Sequence, residues 1–144
     1  MSISELSTST QNYLKAIWGL KEWSSEPVTA TLIAKQLGLK LSSVSDAVRK
    51  MSKQGLVSHT PYGSVELTEL GRQYALVMVR RHRLLESFLV QALDYTWDEV
   101  HDEAENLEHA VSDMLIERVD KFLNYPTRDP HGDPIPTVCL LYTS

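Results

Sequence analysis

TATLIAKQLGLKLSSVSDAVRKMSKQGLVSHTPYGSVEL, residues 29–67, is the stretch whose reading decides the fold. Thr29 stands where a cap would satisfy a free amide at a helix start, and Leu32, Ile33 and Leu37 give the next segment an apolar side. Gly38 interrupts that segment. A second helical stretch then opens at Ser42-Ser43 and runs to Met51 or Lys53, with Val44, Val48 and Met51 on one side. Gly55 stops it, Leu56-Val57-Ser58-His59 reads as a strand, Pro61-Tyr62-Gly63 as a turn, and Val65-Glu66-Leu67 alternates as a returning strand. Two helices joined by a tight glycine turn and followed by a hairpin predict a winged helix-turn-helix.

The flanks extend this order. From Ser9 to Trp23, Tyr13, Leu14, Ile17, Trp18 and Leu20 recur at helical spacing until Glu26-Pro27 ends the segment. After the hairpin, Thr68 caps a long helix, with Gly71 tolerated near its start. Its pattern of Tyr74, Leu76, Val77, Met78, Leu84, Leu85, Phe88 and Leu89 lasts to about Ala92. A helix across about 68–92 is long for a small domain, and it suits a connector of two bodies or a subunit interface. Thr96-Trp97-Asp98-Glu99 has the form of a capping box and opens a helix with Val100, Ala104, Leu107 and Val111 as its apolar set. Ser112 caps another, in which Met114, Leu115, Val119, Phe122 and Leu123 are expected to pack before Asn124-Tyr125-Pro126 stops it. The fold class expected is mainly α with a small β-wing: a winged helix-turn-helix over residues 1–72 and a helical domain over residues 73–144.

Composition bounds what such a chain can be. Its 144 residues are 42% hydrophobic, enough for an ordinary core. The single cysteine, Cys139, excludes an internal disulfide framework and fits a reducing compartment. No apolar run reaches roughly 18 residues, and the N-terminus lacks a charged-then-apolar export signal. A soluble cytoplasmic protein without a membrane partner is expected. The net charge of -5 hides an asymmetry, because residues 1–72 hold eight Lys or Arg against six Asp or Glu, and residues 73–144 hold six against thirteen. The first half can therefore approach phosphate, while the acids gather where a cation would bind.

The winged-helix order makes Ser42, Ser43, Ser45 and Asp46 candidates for a groove face, and Arg49, Lys50 and Lys53 candidates for phosphate contacts. Lys35 and Lys40 flank the turn. Thr60, Tyr62 and Ser64 at the wing can touch the DNA backbone or serve as ordinary turn residues.

The strongest local chemistry lies in His101-Asp102-Glu103-Ala104-Glu105-Asn106-Leu107-Glu108-His109. Helical spacing of three and four puts His101, Glu105, Glu108 and His109 along one side, where imidazole and carboxylate suit Mn(II), Fe(II), Zn(II) or Co(II). A solvated acidic face with incidental histidines would have the same spacing. His82 and Glu86 form a second pair, four apart on the preceding helix, and a reversal near Leu93-Asp94-Tyr95 can bring the two helices together. Surface salt bridges with Arg80, Arg81 or Arg83 are the alternative for that pair. Catalysis has less support: there is no glycine-rich phosphate loop, Cys139 has no evident base beside it, and the His-Glu-x-x-His spacing of many zinc proteases is absent.

The chain resembles the iron- and manganese-dependent repressors of the diphtheria toxin repressor family, from about Thr8 to Pro136. The resemblance is carried by Tyr13-Leu14-Lys15-Ala16-Ile17, Val44-Ser45-Asp46-Ala47-Val48, Arg81-His82-Arg83-Leu84 with Glu86, Val100-His101-Asp102-Glu103-Ala104, Leu107-Glu108-His109 and Asp133-Pro134-Ile135-Pro136. It implies a homodimer on double-stranded palindromic operator DNA that represses metal-uptake genes when divalent metal is abundant, with the second domain serving metal binding and dimerisation. It assigns His82, Glu86 and His101 to an ancillary metal site. It assigns Glu105, Glu108 and His109 to the main site, joined by Asn12 from the first helix.

Iron-responsive members tend to place methionine and cysteine where this chain has Asn12 and Glu105, so Glu105 points to Mn(II), with Fe(II) the alternative and Co(II) or Zn(II) able to substitute in vitro. Lys15 stands where manganese regulators with a closely spaced two-metal cluster commonly have glutamate, which argues against that cluster. Longer members continue past the Pro-Ile-Pro region into a small barrel, whereas Thr137 to Ser144 here is a short, mostly apolar tail. The other readings that this sequence admits are a metal-independent winged-helix binding module and a metal-dependent hydrolase.

Overall fold

The computed structural model describes residues 3–60 and 63–140. They form two compact units, Met1–Ala75 and Leu76–Ser144.

In the first unit α1 (Thr8–Glu22) is capped by Ser7, whose hydroxyl accepts from Thr10 N–H at 3.1 Å. The Gln11 amide holds the preceding 3-10 turn by donating to the carbonyls of Ile3 and Leu6. Helix α2 (Ala30–Leu37) starts on Thr29, whose hydroxyl accepts from Leu32 N–H, and ends on Gly38 in the left-handed conformation, φ 67°. Helix α3 (Leu41–Lys53) buries Val44, Val48 and Met51. Leu14, Ile17, Val28, Ile33, Leu56 and Val65 are among the other interior residues of this unit. Ala34 takes the second buried position on α2, so Leu32, expected inside, is exposed and Leu37 half-buried.

The hairpin is β1 (Val57–His59) and β2 (Val65–Leu67), antiparallel, with Val57 opposite Leu67 and His59 opposite Val65. Val65 N–H also donates to the Val28 carbonyl at 2.7 Å, and Thr29 bridges Ser64, so the segment before α2 lies along the wing's returning strand. Leu56 precedes the strand instead of joining it. Its carbonyl accepts from the Thr68 amide and hydroxyl, and Thr68 Oγ1 in turn accepts from Gly71 N–H at 3.0 Å. A Cβ on Gly71 would stand 2.0 Å from the Leu56 carbonyl oxygen. Gly71 is therefore required by this close approach of backbone to backbone, where the sequence suggests only tolerance.

Helix α4 (Glu69–Leu93) is 25 residues long and continues from the first unit into the second. There it packs with α5 (Trp97–Glu108) and α6 (Asp113–Phe122) around Leu84, Leu85, Leu89, Val100, Ala104, Ile116, Val119 and Ile135. The Thr96 amide and hydroxyl both donate to the Glu99 carboxylate, the capping-box contact expected at the start of α5. Ser112 caps α6 through Leu115 N–H. Ile116 and Val119 fill the inward positions of α6, and the helical period turns Met114, Leu115 and Phe122 outward, 64%, 47% and 68% exposed. These three were expected in the core. Phe122 instead lies edge-on against Phe88 at a ring separation of 5.7 Å.

Candidate metal centre and nucleic-acid face

Three closely spaced arginines on α4, Arg80, Arg81 and Arg83, organise the second unit. Arg80 pairs with Asp120 at 2.9 Å and donates to the Pro136 carbonyl, and Arg83 donates to the Pro134 carbonyl. Arg81 grips the end of α5, donating to the Glu108 carbonyl at 3.3 Å and to Asp113 at 2.9 Å. These contacts lock α5, α6 and the loop after α6 onto α4 and leave His82 and Glu86 among the titratable groups of the other elements.

Glu86 is 4% exposed. Its Oε1 lies 3.4 Å from His82 Nε2, and its Oε2 lies 4.0 Å from His101 Nδ1 and 3.9 Å from His131 Nδ1. Burial alone would raise this carboxyl, but the His82 hydrogen bond and the charges of His82, His131 and His101 outweigh it and hold Glu86 below the ordinary carboxylate range. One buried anion thus faces three imidazoles.

Two donor groups meet at this carboxylate. His82, Glu86 and His101 offer atoms within 4.8 Å of one another, and so do Glu86, Asp129 and His131. Asp129 and His131 escape the sequence reading, although Asp129-Pro130-His131-Gly132 is the signal for them: a carboxylate and an imidazole two apart in a turn pinned by proline and glycine. In that turn Asp129 Oδ1 accepts from the amides of His131 and Asp133, and Gly132 sits at φ 86°. Burial, the largest influence, raises the Asp129 carboxyl. Trp97 stacks edge-on against His131 at 4.3 Å between ring centroids.

The four donors expected along one side of α5 do not form one group. His101 and Glu105 pair at 3.7 Å near the surface and make a third cluster with Asp102. Glu108 turns into the interior, fully buried, with Oε1 2.5 Å from His82 Nδ1 and Oε2 3.9 Å from His109 Nε2. His109 is the C-cap of α5. Asn12, on α1, has its Oδ1 buried with no hydrogen-bond partner. The closely set imidazoles and carboxylates of the second unit fit a hard divalent cation, since such groups are stable in an interior only when paired or coordinated.

On α3 the outer surface carries Ser42, Ser43, Asp46, Arg49, Lys50 and Lys53, all exposed, and Ser45 half-buried. Asp46 and Arg49 pair with each other there. Lys35, in the last turn of α2, and Lys40, the N-cap of α3, are exposed at either end of the turn. At the wing the Thr60 and Ser64 hydroxyls bond each other at 2.5 Å, and Thr60 N–H donates to the Ser64 carbonyl. Tyr62 lies outside the described residues.

The chain thus joins a winged helix-turn-helix to a helical body that clusters imidazoles and carboxylates. Residues 5–65 match the family described as iron dependent repressor, N-terminal DNA binding domain. Residues 68–137 match its metal binding and dimerisation domain. The chain belongs to the iron-dependent repressor family. The iron-dependent repressor IdeR of Mycobacterium tuberculosis is 40% identical over 134 residues, which are 93% of this chain and 58% of that protein. The diphtheria toxin repressor of Corynebacterium diphtheriae is 36% identical over 134 residues, 93% of this chain and 59% of that one. A solved manganese-dependent transcriptional repressor in complex with manganese is 54% identical with a TM-score of 0.89, covering 94% of this chain and 62% of its own. The chain thus spans about 58% of the length of the curated relatives it matches. Among the described residues no helix is long and apolar enough to cross a membrane.

Proposed function

We propose that this chain is a divalent-metal-dependent transcriptional repressor that binds a palindromic operator as a homodimer and controls metal-uptake genes, with Mn(II) as its activating ion. The observation that carries the metal reading is the buried Glu86 carboxylate faced by His82, His101 and His131, with Asp129 beside it. Every donor in these groups is an imidazole nitrogen or a carboxylate oxygen, and the single cysteine is in none of them. That set suits Mn(II) better than a softer ion. His82, Glu86 and His101 would hold one ion, with Asp129 and His131 able to supplement Glu86; Glu105, Glu108, His109 and Asn12 are the candidates for the other. A bound cation supplies positive charge that offsets the buried acids and ties together the segments that carry them.

Fe(II) is the second reading, because the relatives at 36–40% identity are named iron-dependent or diphtheria toxin repressors. For DNA, the exposed residues of α3 support groove contact by Ser42, Ser43, Ser45 and Asp46, with phosphate contacts by Arg49, Lys50, Lys53, Lys35 and Lys40. Thr60 and Ser64, already bonded to each other, are weaker candidates. The outward Met114, Leu115 and Phe122 give α6 an apolar face suited to a second copy.

The test measures binding to operator DNA at fixed salt with the protein stripped of metal and then supplied with Mn(II), Fe(II), Co(II) or Zn(II). Mn(II) is expected to tighten binding at least tenfold. Equal affinity in all conditions would eliminate metal control, and a larger response to Fe(II) would reassign the ion.

A further inference from the structure

Glu108 occupies a position that one metal group alone does not explain. It is fully buried in the last turn of α5, and consecutive residues of α4 hold it from two sides: Arg81 donates to its backbone carbonyl, and His82 contacts its carboxylate. A carboxylate accepts, so the 2.5 Å contact makes His82 Nδ1 the donor. A cation bound in the Glu86 group would take the lone pair of the imidazole on Nε2, the atom 3.4 Å from Glu86, in place of the proton there. A carboxylate that fixes the far nitrogen of a histidine in this way is the usual support of a metal-ligating imidazole. The other oxygen of Glu108 stands 3.9 Å from His109 Nε2, in the second set of donors.

We propose that Glu108 is shared: through Oε1 it is the positioning residue for His82 in the group centred on Glu86, and through Oε2 it is a donor alongside His109. This rests on the metal-binding reading above. The two roles use one side-chain conformation, so an ion in either group fixes the carboxylate that the other needs. By linkage, occupancy of each group then alters the affinity of the other by the same factor.

The experiment counts Mn(II) bound per protomer of the full chain, from the electron paramagnetic resonance signal of the free ion, with affinities from calorimetry. Wild type is expected to take up two ions. His101→Ala and His109→Ala are each expected to retain one. Glu108→Leu, which removes both oxygens, is expected to retain neither tightly. Glu108→Gln keeps an amide oxygen to accept from His82, so the ion retained in His109→Ala should change less than threefold when that substitution is added, while the ion retained in His101→Ala should weaken at least tenfold.

Sharing is overturned if Glu108→Leu keeps one ion at unchanged affinity, or if Glu108→Gln leaves both ions unaltered. The isosteric glutamine variant decides the matter even where the leucine variant does not fold. A wild-type chain that takes up one ion or none overturns sharing as well, and uptake of none removes the metal-binding reading with it.

Discussion

The two units carry their function-bearing side chains in opposite ways. On α3 the polar residues Ser42, Ser43, Arg49, Lys50 and Lys53 stand outside a helix whose other side, Val44, Val48 and Met51, is the core. In the second unit Glu86 and Glu108 are themselves interior residues, and His82 is 9% exposed. The surface proposed to meet DNA can therefore change without disturbing the fold beneath it. The proposed metal groups cannot, because the same side chains would bind the ion and fill the interior, and binding and folding then draw on one set of residues.

Within the first unit the scaffold, not the polar face, should be the sensitive part. Gly71→Ala is expected to have the largest effect, because its methyl would overlap the Leu56 carbonyl oxygen at 2.0 Å, and the hairpin or α4 would have to shift. Overpacking against fixed backbone should cost about 3 kcal/mol in urea unfolding of the full chain. A loss below about 1 kcal/mol would show that the wing gives way easily, and the requirement for glycine at position 71 would be wrong.

Glu108→Ala comes next and tests the other side of the comparison. With metal stripped, it leaves the buried His82 Nδ1–H without its acceptor and opens a void, a loss of about 2 to 3 kcal/mol. Unchanged metal-free stability would mean that Glu108 serves binding alone, and the contrast between the units would collapse. Thr68→Ala should have a smaller effect, about 1 kcal/mol, since Thr68 Oγ1 donates to the Gly55 carbonyl and accepts from Gly71 N–H where the hairpin meets α4.

This difference also governs what the sequence discloses. In α3 the apolar residues recur at the helical period, so the exposed face is found by subtraction, and Val44, Val48 and Met51 are buried as that period requires. Caps are equally legible: Thr29, Thr96 and Ser112 are local signals and act where their spacing predicts. In α5 the same logic misleads, because it sends acids to the surface, whereas Glu108 is held inside by residues 26 and 27 positions earlier in the chain. Asp129 and His131 meet Glu86 only through the path of the loop after α6, which no periodicity encodes. The outward turn of Met114, Leu115 and Phe122 is hidden for a related reason, since composition does not say which of two apolar faces a helix will bury.

The smallest expected change in stability is the sharpest test of the comparison. Arg49→Ala and Lys50→Ala remove exposed groups, so each should alter unfolding free energy by no more than about 0.5 kcal/mol. Their effect on operator binding should be large by contrast, and it should have a particular form. Neutralising one phosphate contact lowers the dependence of log affinity on log salt by about 0.9 and weakens binding to any duplex sequence alike. Arg49 is paired with Asp46 in the free protein, and part of its charge is already offset, so Lys50→Ala should reduce the salt slope more than Arg49→Ala does. Metal uptake should be unchanged in both. If Lys50→Ala weakened binding only to particular operator sequences and left the slope intact, Lys50 would be reading a base edge, and the division of α3 into groove-facing hydroxyls and phosphate-facing cations would have to be redrawn.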